Sequence, residues 1–353
     1  MPRLIISKLS HLSNLPQTLQ QWLYECILLL SMHCSTVADT QTVEHAPVRV
    51  SLPTAPKSLS PPRPSPTSST MPEAPRKRPL VCLFDIGGVC VVSPFQAILD
   101  YESAHDIPRG YINWSISQTQ PNGAWQRLER GEIPLNHIFY DEWKSDLANE
   151  KRWRVYYAQD LAKRKGQSVS DGAEEAAYQV APPPEIDTES LHNEMMTIAR
   201  ELDPHMGPAL KRLRALADKS NGQIILAALS NTCIYPPGHK LYSASTADGK
   251  ATHKLADIFD VFISSAHVGM RKPDEEIYRY ALVRLREYVR TKEWADDVRP
   301  GDVVFLDDIG GNLRTGKRLG MRTIKVTLGS VEEAVRELER ETGLALRGEK
   351  ARL

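Results

Sequence analysis

Residues 80–94 read LVCLFDIGGVCVVSP. An unbroken apolar run ends in one carboxylate, Asp85, which Gly87 and Gly88 follow almost at once. Continuous rather than alternating hydrophobicity marks a strand covered on both faces, the habit of parallel strands. An acid at its tip, beside two residues without side chains, lets bare backbone approach a ligand closely.

Working outward, similar runs recur: GQIILAALS (222–230), DVFISS (260–265), DVVFLDD (302–308) and TIKVT (323–327). Helical patterns separate the later ones, at 207–219, 273–292 and 312–321. Pro273 followed by Asp274, Glu275 and Glu276 predicts a helix start with acids at the positive dipole end. SVEE (330–333) predicts a capping box at the last helix. Strand–helix alternation of this kind predicts an α/β fold with a doubly wound parallel sheet.

More than 100 residues separate the first strand from the second, far beyond an ordinary crossover. Helical patterns at 123–147 and 188–203 flank a polar stretch at 165–185. The expected organisation is a core over 79–94 and 205–353, with an inserted helical cap over 95–204. That cap carries a flexible loop near 165–186.

The chain has 353 residues, 44 basic and 44 acidic. That length suffices for a core with an inserted subdomain. Zero net charge leaves no electrostatic footprint for nucleic acid or an anionic membrane. Cys26, Cys34, Cys82, Cys90 and Cys233 form no CxxC pair, so a reducing, cytoplasmic setting is expected. The Pro/Ser/Thr-rich sequence at 46–79 cannot bury enough surface to fold. The apolar run at 22–32 is too short to span a bilayer, so no stable membrane insertion is expected. Residues 1–78 read as a disordered leader, with Met71 a second candidate start. Arg76, Lys77 and Arg78 read as its solvated flank.

Ligands of a doubly wound sheet bind outside the carboxyl ends of its strands. Those ends carry Asp85, then Ser230, Asn231 and Thr232, then Lys272, then Asp307 and Asp308. The set suits phosphoryl transfer. A carboxylate attacks phosphorus and splits a hard hydrolysis into two steps. Mg²⁺, held by carboxylates and carbonyls, neutralises the dianion. Lys272 and Ser230 are suited to hold phosphoryl oxygens, and Gly87 and Gly88 let backbone approach them. His105, Arg109 and Arg130, in the inserted segment, read as solvated or structural rather than substrate-contacting. GGN within DDIGGN lacks the glycine spacing of a nucleotide fingerprint.

FDIGGV (84–89), LSNT (229–232), GMRKP (269–273) and FLDDIGGNLRTGKRLGM (305–321), in this order, resemble the four motifs of the haloacid dehalogenase (HAD) superfamily. LDDIGGNLRTGKRLGM and HVGMRKPDEEIY resemble, more narrowly, the N-terminal phosphatase-type domain of soluble epoxide hydrolases. NGAWQRLERGEI and FDIGGVCVVSP resemble the related domain of some acyl-CoA dehydrogenase fusions. The resemblance covers about 79–346. It implies a Rossmann-like core with a helical cap, Mg²⁺ as cofactor and Asp85 as nucleophile. It places the second-motif hydroxyl on Ser230, the third-motif lysine on Lys272 and the chief metal ligand on Asp308, with Asp307 beside it. The Gly87 carbonyl completes the metal set. Asn231 and Gly88 join Ser230 and Lys272 around the phosphate, and Asn312 supports the site.

One departure stands out. Typical members carry a second Asp two residues after the nucleophile, where this chain has Gly87. Some phosphatases of the family resemble it in having Gly there, and dehalogenase members also lack that acid. The expectation is an Mg²⁺-dependent phosphatase acting through an aspartyl-phosphate on a small phosphorylated metabolite, as a monomer or homodimer. The alternatives are a metal-independent dehalogenase-type hydrolase and a catalytically weak binding protein.

Overall fold

A computed structural model describes residues 81–164, 182–237, 239, 255–294 and 297–348. The expected leader, and the expected flexible loop up to residue 181, lie outside the described residues. Among the described residues, β1 (Val81–Phe84), β2 (Ile225–Ser230), β3 (Val261–Ser264), β4 (Val303–Asp307) and β5 (Arg322–Lys325) form one parallel sheet. Its order is β3-β2-β1-β4-β5, so the α/β doubly wound fold is the observed one. Each expected apolar run overlaps one of these strands.

The unbroken runs follow from coverage on both faces. Val81 pairs with Ile225 on one side and with Val303 on the other, and the register continues to Phe84. Cys82, Phe84, Leu226, Ala228, Val304 and Leu306 share one core with helices α7 (Met206–Asp218) and α11 (Val331–Thr342). Val81, Leu83, Ile225, Ala227, Val303 and Phe305 share the other with α9 (Glu275–Thr291) and with Leu313 of α10 (Gly310–Arg318). Alternate residues therefore enter different cores, and neither face needs a polar side chain. β3 is an edge strand and leaves Phe262 exposed.

Between β1 and α7 run α1 (Pro94–Ala104), α2 (Tyr111–Gln118), α3 (Ala124–Glu129), α4 (His137–Leu147), α5 (Glu150–Arg164) and α6 (Thr188–Ile198). They close on an apolar cluster of their own, around Ile98, Tyr111, Phe139, Trp143 and Leu191. Ser93 and Asn136 start α1 and α4 with side-chain caps. Buried Glu102 ties α1 to α2, its carboxylate accepting from the Gly110 and Ile112 N–H groups at 2.5 and 2.8 Å. A short turn of helix, α8 (Ser265–Val268), follows β3.

Two helix starts differ from expectation. Ser330 precedes α11 but makes no side-chain cap, so the expected capping box is not formed. The Ser330 backbone carbonyl accepts from the Glu333 N–H instead, and buried Val331, Val335 and Leu338 anchor the helix. The helix expected from Pro273 begins two residues later, with Asp274 at its N-cap. Pro273 follows a cis peptide bond, and its carbonyl accepts from the Thr315 hydroxyl at 2.9 Å. Glu275 and Glu276 do occupy the first turn. No helix among the described residues is long and apolar enough to cross a membrane.

Candidate active site

Sheet order reverses at β1: β2 and β3 lie on one side of it, β4 and β5 on the other. Such a switch point opens a crevice at the strand's carboxyl end. Asp85 occupies it. Its N–H donates to the Leu306 carbonyl at 2.9 Å, which prolongs the ladder by one residue and aligns the backbone. Carboxylate Oδ1 accepts from the Ile86 N–H at 2.6 Å and lies 2.9 Å from Lys272 Nζ. The turn that follows is tight, with the Val89, Cys90 and Val91 N–H groups all directed at the Ile86 carbonyl. Gly88 adopts φ +73°, and a Cβ there would fall 2.4 Å from Asp308 Oδ2. A side chain at 88 would thus displace the Asp308 carboxylate.

Lys272 arrives on the loop after β3 and α8. Its side chain is 1% exposed, with Nζ 2.7 Å from Asp307 Oδ2 and 2.9 Å from Asp85 Oδ1. Such a burial is tolerable only because two carboxylates meet the ammonium. Asn231, just past β2, grips the lysine backbone from both sides: Oδ1 accepts from the Lys272 N–H at 2.9 Å and Nδ2 donates to its carbonyl at 3.0 Å. Asp307 at the end of β4 is fully buried. It accepts from Lys272 Nζ, from Asn312 Nδ2 at 3.0 Å and from the Ile309 N–H at 2.8 Å.

One ammonium, paired with Asp85 and Asp307, therefore stands near three acids. Oxygen atoms of Asp85, Asp307 and Asp308 all lie within 4.8 Å of one another. Burial pushes the Asp85 carboxyl up to about 6, with Lys272 pulling it down and Asp307 adding to the rise. Burial, Asp85 and Asp307 push Asp308 up to about 8. Burial pulls the Lys272 ammonium down, but Asp307 and Asp85 outweigh it and hold it above its ordinary value. A hard divalent cation with oxygen ligands is what such an excess of buried negative charge suits.

Beside these groups lies a cavity of about 510 Å³. Its polar end holds Asp85, Gly87, Asn231, Lys272, Asp308 and Asn312. Phe95, Ile98, Ile116, Trp125, Met195 and Met196, all from the inserted helices, supply much of the rest. The residues singled out from sequence thus gather at one place, though Ser230, Gly88 and the fully buried Asp307 are not on the cavity wall. Ser230 is buried off the cavity wall, and its hydroxyl donates to the Asn231 carbonyl at 3.4 Å. Gly88 lies beneath Asp308 rather than on the wall. His105 stacks on Tyr101, and Arg130 pairs with Glu132 at 2.6 Å; with Arg109, they are absent from the wall.

Sequence reading missed an ion pair on that wall. Arg271, next to Lys272, donates from Nε and Nη2 to Glu129 Oε2 at 2.7 and 2.6 Å. Glu129 ends α3. Its Oε2 also accepts from Asn231 Nδ2 at 3.2 Å, and its Oε1 from Trp125 Nε1 at 3.0 Å. The partners stand 142 positions apart. Each lies within a segment whose likeness to known motifs was visible, but nothing local pairs them.

No family model matches the chain. It is similar to bifunctional epoxide hydrolase 2 of Sus scrofa, 34% identical over 275 residues, covering 75% of this chain and 39% of that protein. It is similar to acyl-CoA dehydrogenase family member 10 of Mus musculus, 28% identical over 264 residues, covering 75% of this chain and 19% of that protein. The chain thus spans well under half the length of these curated relatives. Among solved structures, a predicted HAD-like family hydrolase of Porphyromonas gingivalis overlaps at a TM-score of 0.39 and 18% identity. That overlap covers 74% of this chain and 97% of that one, and is too slight to bear on chemistry.

Proposed function

We propose that this chain, a HAD-like hydrolase by fold, motif order and sequence relatives, cleaves small phosphate monoesters with Mg²⁺ as cofactor. The observation that carries the reading is the Asp85 carboxylate, held by Lys272 on the wall of the cavity beside Asp308. Oδ1 is occupied by the Ile86 N–H and Lys272. No hydrogen bond among the described residues reaches Oδ2, the oxygen left to attack.

Asp85 Oδ2 would form a bond to phosphorus as the bond to the departing oxygen breaks, leaving an aspartyl-phosphate. Water then attacks the same phosphorus, phosphate leaves, and the carboxylate returns. Lys272 orients Asp85 and offsets charge on the phosphoryl oxygens. Asp307, with each oxygen hydrogen-bonded, holds Lys272 and Asn312 in place. Asp85, the Gly87 carbonyl and Asp308 would hold Mg²⁺. When bound, the ion supplies electrostatic stabilisation of the charge that builds on the transferring group. Gly87 offers no acid to the departing oxygen, so substrates with good leaving groups suit the site best.

The cavity's volume fits a small metabolite. The inserted helices would act as the cap, selecting substrate and excluding water during the first step. Free thiols at Cys82, Cys90 and Cys233 agree with a reducing, cytoplasmic setting. Release of phosphate from 4-nitrophenyl phosphate, with and without Mg²⁺, tests the reading, alongside Asp85→Asn. Turnover that needs neither the metal nor Asp85 would refute it.

A further inference from the structure

The Glu129–Arg271 pair stands on the cavity wall, one residue from the lysine of the site, with both side chains about nine-tenths buried. Its ends come from different parts of the fold. Glu129 belongs to the inserted helices, Arg271 to the loop after β3. We infer that Glu129 is a specificity-determining residue: by occupying Arg271 it makes the cavity accept substrates whose phosphate is the one anionic group and reject those that also bear a carboxylate. This rests on the phosphate-monoester reading above.

The reasoning is one of charge and geometry. A guanidinium bound through Nε and Nη2 presents the face that recognises carboxylates, and here an internal carboxylate already fills it. A second anionic group on the substrate would have to displace Glu129 or lie against it, and either is unfavourable in a buried site. The remaining wall from the inserted helices is largely apolar, which suits an uncharged remainder of the substrate. Hydrogen bonds from Trp125 and Asn231 hold Glu129 so that it cannot easily swing aside. Of the other cations on the wall, Lys272 is taken up by Asp85 and Asp307, and Arg314 is exposed, so solvent and salt weaken its pull.

Glu129→Gln keeps an acceptor for Trp125 but withdraws the charge that satisfies Arg271. A buried guanidinium without its carboxylate will seek one from the ligand. The test is calorimetric binding of phenylphosphonate and 4-carboxyphenylphosphonate, neither of which can be hydrolysed, in Mg²⁺. The parent should bind the carboxylated compound more weakly. Glu129→Gln should move the affinity ratio toward it by about 10- to 100-fold, the range of a charge-assisted hydrogen bond. Adding Arg271→Gln should erase that gain. Should Glu129→Gln fail to fold, Arg271→Gln alone serves, with an expected further loss for the carboxylated compound. An unchanged ratio in the variant that folds, or a gain that survives removal of Arg271, overturns the inference. Turnover of 4-nitrophenyl phosphate by the parent reports separately on the phosphatase reading.

Discussion

Lys272 Nζ lies 2.9 Å from Asp85 Oδ1, and both groups are buried at the carboxyl edge of the sheet. Under the proposed mechanism the contact would tie activity to stability, because the ammonium that orients Asp85 for attack also makes its burial tolerable. Asp307, whose Oδ2 lies 2.7 Å from the same Nζ, depends on the same charge.

Replacing Lys272 with Met should lower kcat on 4-nitrophenyl phosphate by at least about 10²-fold, the scale for removing one preorganised charge donor. It should also cost about 3–5 kcal/mol in denaturant unfolding, since buried carboxylates lose their partner. Adding Asp307→Asn should restore part of the stability and none of the activity. A double variant that recovered turnover would remove Lys272 from the chemistry.

Asp308 tests the metal without any assay of turnover. Mg²⁺ well above its dissociation constant should raise the parent's melting temperature, as any ligand of the folded state does. Asp308→Asn keeps the side chain's shape but removes the charge that burial and two acidic neighbours make costly. The Mg²⁺-induced shift should vanish in that variant, and a shift of the parent's size would place the ion elsewhere.

Gly87 can be given the missing acid. A Cβ there would meet only Pro94 Cδ and Cγ, at 3.6 and 3.7 Å, and no unfavourable backbone angle stands in the way. The parent's rate should depend steeply on leaving-group pKa, with alkyl phosphates poorest. Gly87→Asp should raise alkyl phosphate turnover by about 10²-fold, within the range of general acid help, and change good aryl esters little. Equal aryl and alkyl rates in the parent would mean that another residue supplies the proton.

His192 carries a prediction about acid stability. Its imidazole is buried among Trp125, Phe139 and Tyr140, and Nδ1 finds no hydrogen-bond partner among the described residues. Burial, with a smaller effect from His239, pushes its pKa from 6.5 down to about 4. The unfolded chain therefore takes up a proton near pH 6.5 that the folded chain refuses until about pH 4. Stability present at pH 7 is lost as pH falls through that window, by up to about 3 kcal/mol. His192→Phe should flatten this limb of the denaturant midpoint between pH 7 and 4.5. An unaltered limb would assign the acid sensitivity to other groups.

The sheet and its chemical edge were legible in sequence because both are local signals. Each of the five apolar runs from 80 to 327 that were read as strands overlaps one, and Asp85, Asn231, Asp307 and Asp308 stand at or just past a strand end, with Lys272 on the loop beyond β3. Once parallel strands are stacked in register, residues at their carboxyl ends must meet, whatever the loops do between them. Tertiary structure alone decided which of those groups face the cavity. Ser230 and Asp307 end strands as expected, yet Ser230 turns to its neighbour's carbonyl and Asp307 to Lys272 and Asn312. The helix-start signals at Ser330 and Pro273 were overridden in the same way, by apolar burial and by the fold of the loop. Least legible was the contribution of the inserted helices. Trp125, Met195 and Glu129 reach the cavity because α3 and α6 pack against neighbours remote in sequence, so their facing depends on crossing geometry that no local spacing encodes.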